Sequence, residues 1–324
     1  MEQLLALEKQ TRTGSDTHST SRVLVAIVRL CFEAKQFDLL NEQIVTLSKK
    51  RSQIKQSITA MIQECCTYVD KISDKTVQLK FIETLRNVTA GKIHVECERA
   101  RLTLKFAHMK EAEGKIAEAA ECLQELQVET FGSMERKEKI EVILEQMRLC
   151  LAKKDYIRAS IISKKIQTKN LEDPKLEQLK FKYYNLMIDL EQNQNNYFNI
   201  CKHLLAIFNT ASIKNDVAKR SQILKNATVY IVLAEYNNHQ SDTIHNIKAE
   251  KAMLDIPHYH EILKLFTTSE LINWSQWEAS VSQLLREGNK SVETEAEPTG
   301  VFANNEQGNK RWLDLRKRAV EHVS

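Results

Sequence analysis

The residues best suited to chemistry are few and badly spaced for it. His258-Tyr259-His260-Glu261 is the most metal-like string. On a helix, positions i and i+2 point about 200° apart, so one ion cannot easily meet both imidazoles. The segment reads instead as a surface helix start after Pro257. Cys65 and Cys66 are adjacent and cannot chelate one tetrahedral ion from a helix, so they read as buried thiols. Cys201-Lys202-His203 pairs a thiol with a possible base, but it sits inside the continuous amphipathic run Ile200–Phe208 and reads as core packing. Gly91-Lys92 and Gly114-Lys115 lack the preceding glycine of a phosphate-cradling loop, and no G-x-G-x-x-G, G-x-S-x-G or H-E-x-x-H string occurs. Trp274 and Trp277 share a helix face, where they could anchor a partner but more readily close the end of a helical stack. Lys49-Lys50-Arg51 and Lys164-Lys165 read as solvated faces. No catalytic, cofactor-binding or metal-binding residue is assigned, no cofactor is expected, and the chain is not expected to be an enzyme.

The elements carrying these residues are helices. Among 324 residues there are 7 glycines and 3 prolines, far too few for an all-β fold with its regular turns. Apolar residues recur at helical spacing, as in Ile140, Ile143, Leu144, Met147 and Leu151, or Leu176, Leu179, Tyr183, Leu186, Met187 and Leu190. Val25, Val28 and Phe32 lie beside Val23, Leu24, Ile27 and Leu30, so that helix needs cover on two sides. Such a helix belongs inside a stack of helix pairs.

A repeat supports the stack. The phrase Ala34–Leu40 around Phe37 resembles those around Ile116, Tyr156 and Tyr197: a polar or Gly turn, then a bulky residue, then a small or apolar one. The period is near 40, the size of larger helix–turn–helix repeats. Interpolation adds Val77 and extrapolation adds Tyr236. Each bulky residue should open the second helix of a pair and pack back on the first. Loops are expected at Thr11–Ser19, Thr130–Ser133, Thr168–Asp173, Gln192–Asn196 and Asn209–Lys214. Asp173-Pro174 should start a helix, and Thr267-Thr268-Ser269-Glu270 should form a capping box before Leu271 and Ile272. Arg286–Asn309, with Glu293, Glu295 and Glu297, reads as a flexible loop, followed by a helix from about Lys310 to His322.

The seven cysteines form no C-x-x-C pair and read as reduced thiols of a cytosolic or nuclear protein. No apolar run is long enough for a membrane span, and the first residues do not read as a signal peptide. Residues 131–250 carry 19 basic and 14 acidic residues, a surplus too mild for nucleic acid to be expected as main partner. No small-molecule substrate is implied.

Longer strings carry a resemblance. Leu7–Thr13, Cys65–Val69, Glu98–Thr103, Leu123–Met134, Leu144–Ala152, Leu263–Leu271 and Gly308–Leu315 resemble the family of the 26S proteasome non-ATPase regulatory subunit 12, whose members are PCI-module subunits of the regulatory-particle lid. The resemblance covers essentially the whole chain. It implies a non-catalytic scaffold in cytoplasm and nucleus, with other lid subunits and the ATPase base as partners. The alternative, a PCI-type RNA-associated adaptor of another multi-subunit complex such as a translation initiation factor or signalosome, rests only on the basic surplus of residues 131–250. The resemblance also implies an all-α fold: a right-handed superhelix of tetratricopeptide-like pairs over 1–250, the helical part of a PCI module over 251–285, the loop over 286–309, and over 310–324 the start of a helix leading to a winged helix. Nothing after His322 reads as a strand. The expectation is a folded helical chain, lacking the first helix's partner and the winged helix, that joins a lid poorly. Leu4, Leu5 and Leu7, and Trp312, Leu313 and Leu315, should then leave apolar surface uncovered.

Overall fold

The computed structural model describes residues 1–268, 270, 272–288, 301–303 and 305–321. Among them every regular element is helical and none is a strand. The fold is an all-α helical repeat.

Cα proximity divides the chain into two compact units, 1–166 and 167–324. The first holds α1 (Glu2–Thr13), α2 (Thr17–Glu33), α3 (Phe37–Lys49), α4 (Lys55–Val69), α5 (Lys75–Thr89), α6 (Glu96–Ala112), α7 (Ile116–Gln124), α8 (Arg136–Ala152) and α9 (Tyr156–Ser163). Here α2 packs on α1, α3 and α4, so its two apolar stripes are covered from different sides. Leu24, Ile27, Val28, Leu40, Ile44, Met61, Ile62, Phe81 and Ile82 are excluded from solvent in one continuous core. Phe32 stacks on Tyr68 of α4, with ring centres 4.1 Å apart, and meets Phe37 edge-on at 6.1 Å. Phe37, the bulky residue that opens α3, thus packs back on α2.

Three of the turns between paired helices share one geometry; α4 and α5 are joined instead by residues 70–74, none of which has a positive φ. Lys35, Gly114 and Lys154 adopt φ of 55°, 80° and 63°, the left-handed region, and Ser15 at 55° does the same between α1 and α2. The next amide reaches back to close the preceding helix: Gln36 to Cys31 O at 3.1 Å, Lys115 to Lys110 O at 2.9 Å, Asp155 to Cys150 O at 2.9 Å. This is the Schellman arrangement, which satisfies otherwise orphaned carbonyls. The second helix then begins at once, at Phe37, Ile116 and Tyr156. Asp155 caps α9 through its side chain, accepting from the Arg158 amide at 3.1 Å.

The second unit holds α10 (Glu177–Gln194), α11 (Tyr197–Phe208), α12 (Ala211–Asn215), α13 (Val217–Leu233), α14 (Asn238–Ala249), α15 (Pro257–Leu265), α16 (Trp274–Gly288) and α17 (Glu306–Glu321). Asn195, at φ 54°, makes the same turn into Tyr197. Asp173 does start a helix: its side chain accepts from the Lys175 amide, and Pro174 opens a 3-10 turn running into α10.

Several expectations shift. Tyr236 opens nothing: it is 79% exposed, and α14 starts at Asn238 under an Asn237 cap. The period stops there because α13 is closed by a different, extended connection at Ala234. Val77 is the third residue of α5 rather than its first. The loops are shorter than composition suggests. Only 14–16 separate α1 from α2, the 168–173 stretch contains the 3-10 turn Thr168–Leu171, and α12 begins at Ala211 inside the 209–214 stretch and runs to Asn215. Helix α16 starts at Trp274, where the Asn273 side chain accepts from the Gln276 amide at 3.5 Å. The capping box at 267–270 involves Ser269 and Leu271, which lie outside the described residues.

The stretch 286–309 is helical to Gly288 and again from Glu306, four residues before the expected Lys310. Val301 and Phe302 are buried between, and Phe302 meets Trp312 edge-on at 5.2 Å. Glu293, Glu295, Glu297 and His322 lie outside the described residues. Trp312 and Leu315 are buried rather than left open, leaving Leu313 as the exposed residue of that trio. Leu4 and Leu5 are half-buried and Leu7 is exposed.

Two measurements test the packing and the turns. Leu144 is buried in α8, so Leu144→Asp places an unpaired carboxylate in the core and should cost several kcal/mol, about 3 or more, in chemical denaturation. A Cβ at Gly114 would meet nothing within 4 Å, so Gly114→Ala carries only the backbone cost of a positive φ. It should destabilise by about 1 kcal/mol, whereas Lys35→Gly should stabilise by roughly 0.5–1 kcal/mol. Equal melting of all three proteins would contradict the turn geometry.

Candidate subunit-interaction surface

The first helices of successive pairs, α2, α4, α6 and α8, are joined by a ladder of polar contacts at sequence separations of 35 to 37. Arg29 donates to Glu64 at 2.9 Å, and the Tyr68 hydroxyl donates to the same carboxylate at 2.8 Å. Gln63 donates to Glu98 at 2.8 Å and Lys105 to Asp70 at 2.7 Å. Arg101 grips Glu138 with two bonds, of 2.6 and 3.0 Å. Arg148 is the densest rung: it forks onto Glu111 at 2.7 and 2.6 Å and also holds Glu145, which contacts His108 at 3.0 Å. Such paired, planar bonds fix orientation as well as adding attraction.

The charges respond accordingly. Arg148 holds the Glu111 carboxyl below the usual carboxylate range. Arg101 does the same to Glu138. Burial pushes Glu145 up, but Arg148 and His108 together outweigh it and leave that carboxyl lowered as well. Arg148 itself is raised, chiefly by its bonds to Glu111 and Glu145.

A cleft of about 330 Å³ between α4 and α6 is lined by Gln63, Cys66, Glu98, Arg101, Leu102 and Lys105. Its polar groups are already engaged by the ladder, so they hold the helices together rather than awaiting a ligand. Burial pushes the Cys66 thiol up to about 11 and Cys65 well above its usual range, so neither is a ready thiolate.

The other sequence candidates disperse. Burial pushes the Cys201 thiol up to about 12. Burial, with help from Lys202, draws the His203 imidazole down to about 4. The His203 Nε2 atom is buried without a hydrogen bond, and its ring lies 5.6 Å from that of Tyr184. Thiol and imidazole therefore sit in packing environments, not as a nucleophile and its base. His258 is exposed while Tyr259 between the two imidazoles is buried. Among the described residues no three His, Cys, Asp or Glu side chains gather as metal ligands. Gly91 and Gly114, at φ of 71° and 80°, end helices. No described helix is long and apolar enough to cross a membrane.

Trp274 and Trp277 do meet, 5.2 Å between ring centres, in a cluster with Trp312 at 6.0 Å from Trp274 and Phe266 at 6.0 Å from Trp277. Trp312 Nε1 donates to Glu278 at 2.9 Å. The cluster fastens α17 to α15 and α16. Farther along α17, the Tyr197 hydroxyl donates to Asp314 at 2.9 Å, and Arg318 reaches Glu235 at 3.1 Å.

Lys49-Lys50-Arg51 is more than a solvated face. Lys50 Nζ lies 2.8 Å from Glu8, a fully buried carboxylate also held by Arg12 at 3.0 Å. Arg12 further donates to the Arg51 carbonyl at 2.8 Å. This clamp fixes α1 to the end of α3. Its sequence signal was slight: an acidic residue among apolar neighbours in α1. The ladder had a clearer one, opposite charges at a constant offset slightly short of the repeat.

An all-α repeat with a polar ladder holding helix to helix defines a class: helical-repeat scaffolds, which present long surfaces rather than enclosed pockets. The family model described as "PSMD12/CSN4, N-terminal" matches residues 1–216. Over 322 residues the chain is 41% identical to the 26S proteasome non-ATPase regulatory subunit 12 of Dictyostelium discoideum, covering 99% of this chain and 69% of the relative. It is 41% identical over 324 residues to the 26S proteasome regulatory subunit RPN5 of Saccharomyces cerevisiae, at 99% and 70%. Against the 26S proteasome non-ATPase regulatory subunit 12 homolog A of Arabidopsis thaliana it is 38% identical over 346 residues, at 99% and 76%. The chain belongs to the family of proteasome regulatory subunit 12.

The Arg148 rung gives a pH test. Carboxylates held low in the folded state contribute stability above their ordinary pKa of 4.5, and lose it as pH falls through the folded value. Acidification from about pH 6 to pH 3 should lower the melting temperature of the wild type more than that of Arg148→Ala. Arg148→Lys, which keeps the charge but loses the fork, should cost roughly 1 kcal/mol at neutral pH, a modest figure because the side chain is partly exposed. Identical acid sensitivity in wild type and Arg148→Ala would remove this rung from the account.

Proposed function

We propose that this chain is a non-catalytic scaffold subunit of the 26S proteasome regulatory-particle lid, supporting lid assembly and so ubiquitin-dependent protein degradation. One observation carries the reading: about two in five residues match named proteasome regulatory subunits along 99% of the chain, through both compact units. The exhausted polar ladder and the dispersed thiol and imidazole candidates support a structural role over a catalytic one. The partners proposed are other lid subunits and the ATPase base, met in cytoplasm and nucleus. Residues 251–285 are proposed as the helical part of a PCI module, with α17 leading onward from it.

The test is affinity purification of a tagged chain from its own cells, with quantitative mass spectrometry. Lid subunits should be recovered in near-equal amounts with the bait. Their absence, with the bait folded and abundant, would overturn the proposal.

A further inference from the structure

Helix α9 departs from its sister helices at the surface. In α3 the second and sixth residues, Asp38 and Glu42, point to solvent, and in α7 the same positions are Ala117 and Glu121. In α9 they are Ile157 and Ile161, 78% and 58% exposed. They lie one turn apart, about 6 Å along the helix. Helix propensity does not favour isoleucine there, and solubility opposes it. Packing within this chain leaves both side chains largely uncovered.

The charge around them is one-sided. Lys164 continues the same stripe seven residues after Ile157, and Lys154 stands at the turn before α9; both are exposed, and among the described residues neither makes an ion pair. Arg158 is held by Asp155 and Gln124. The acids of the neighbouring α7 segment are already spoken for: Glu118 by Lys110, Glu121 by Lys153, Glu125 by Arg86 and Arg99, and Glu129 by Lys165. What remains is an apolar pair between two free cations.

We infer that the Ile157–Ile161 stripe of α9 is a docking site for an acidic amphipathic helix of a partner protein. Two apolar side chains a turn apart on that helix would cover the isoleucines, and flanking Asp or Glu would meet Lys154 and Lys164. A second copy of this chain is the poorer occupant, because face-to-face pairing would set lysines against lysines. The inference rests on the scaffold reading only in taking the partner to be a protein.

Fluorescence anisotropy with the full chain tests it apart from lid assembly. The probe is a synthetic helical peptide of about 20 residues with leucines along one face and glutamates flanking them; a second peptide carries lysines in place of the glutamates. The glutamate peptide should bind and the lysine peptide should not, with affinity falling as salt is raised. Ile157→Glu with Ile161→Glu should weaken binding by about tenfold or more. Lys154→Glu with Lys164→Glu should weaken the glutamate peptide and admit the lysine peptide, a reversal that misfolding cannot produce. Failure of the glutamate peptide to bind, equal binding of both peptides, or indifference to the isoleucines would overturn the inference. So would a dimer of this chain that the isoleucine variant abolishes, since the face would then be a self-interface.

Discussion

Most of the paired helices reverse within about three residues, and a single left-handed residue makes that possible; α4 and α5 use a longer turn, 70–74, without one. At Lys35, Gly114, Lys154 and Asn195 the chain turns, satisfies the preceding helix's last carbonyls, and starts the next helix at once. Because the four turns share one geometry, Phe37, Ile116, Tyr156 and Tyr197 begin their helices in equivalent positions. Of the four turn residues only one is glycine, so three sites accept a backbone cost. Tertiary packing repays it, because each turn sets a helix pair into register with its neighbour.

Register has two consequences in the first unit. The inner faces of α2, α4 and α5 close over Ile27, Met61 and Phe81. The polar residues of α2, α4, α6 and α8 then fall opposite one another at a nearly constant offset. Each rung is partly solvated and worth little alone. Together they select one sliding position of helix on helix, which an apolar seam by itself specifies weakly. Arg148, with two carboxylates and a fork geometry, is the rung where that selection is sharpest.

The same economy explains the surface. Most charges near α7 are paired within the chain, so an unpaired cation or an uncovered isoleucine stands out against its repeat-equivalents. Repetition supplies an internal comparison that a non-repeating fold lacks: α3 and α7 carry Asp38, Glu42, Ala117 and Glu121 at the outward positions that α9 fills with isoleucine. The aromatic cluster of Trp274, Trp277 and Trp312 is the opposite case, conspicuous in sequence yet committed to holding α17 in place.

Much was legible in the residues themselves. Scarce Gly and Pro excluded sheets, apolar spacing placed the helices, and bulky residues about 40 apart marked where second helices start. These properties are local, set by periodicity and turn chemistry within a few residues. Spacing on a helix also fixes which side chains can converge, and His258 and His260 flank a buried Tyr259 for that reason. Other features depend on what lies opposite. Glu8 is buried because Arg12 and Lys50 close over it, and Lys50 is more than 40 positions away. Val301 and Phe302 look like loop residues until Trp312 covers Phe302. Tyr236 fits the repeat in spacing but not in structure, because the connection after Leu233 is extended and the period ends. Whether Ile157 and Ile161 face core or solvent also cannot be read from their own helix, for an isoleucine stripe looks the same either way; only the packing of α9 on its neighbours leaves them exposed.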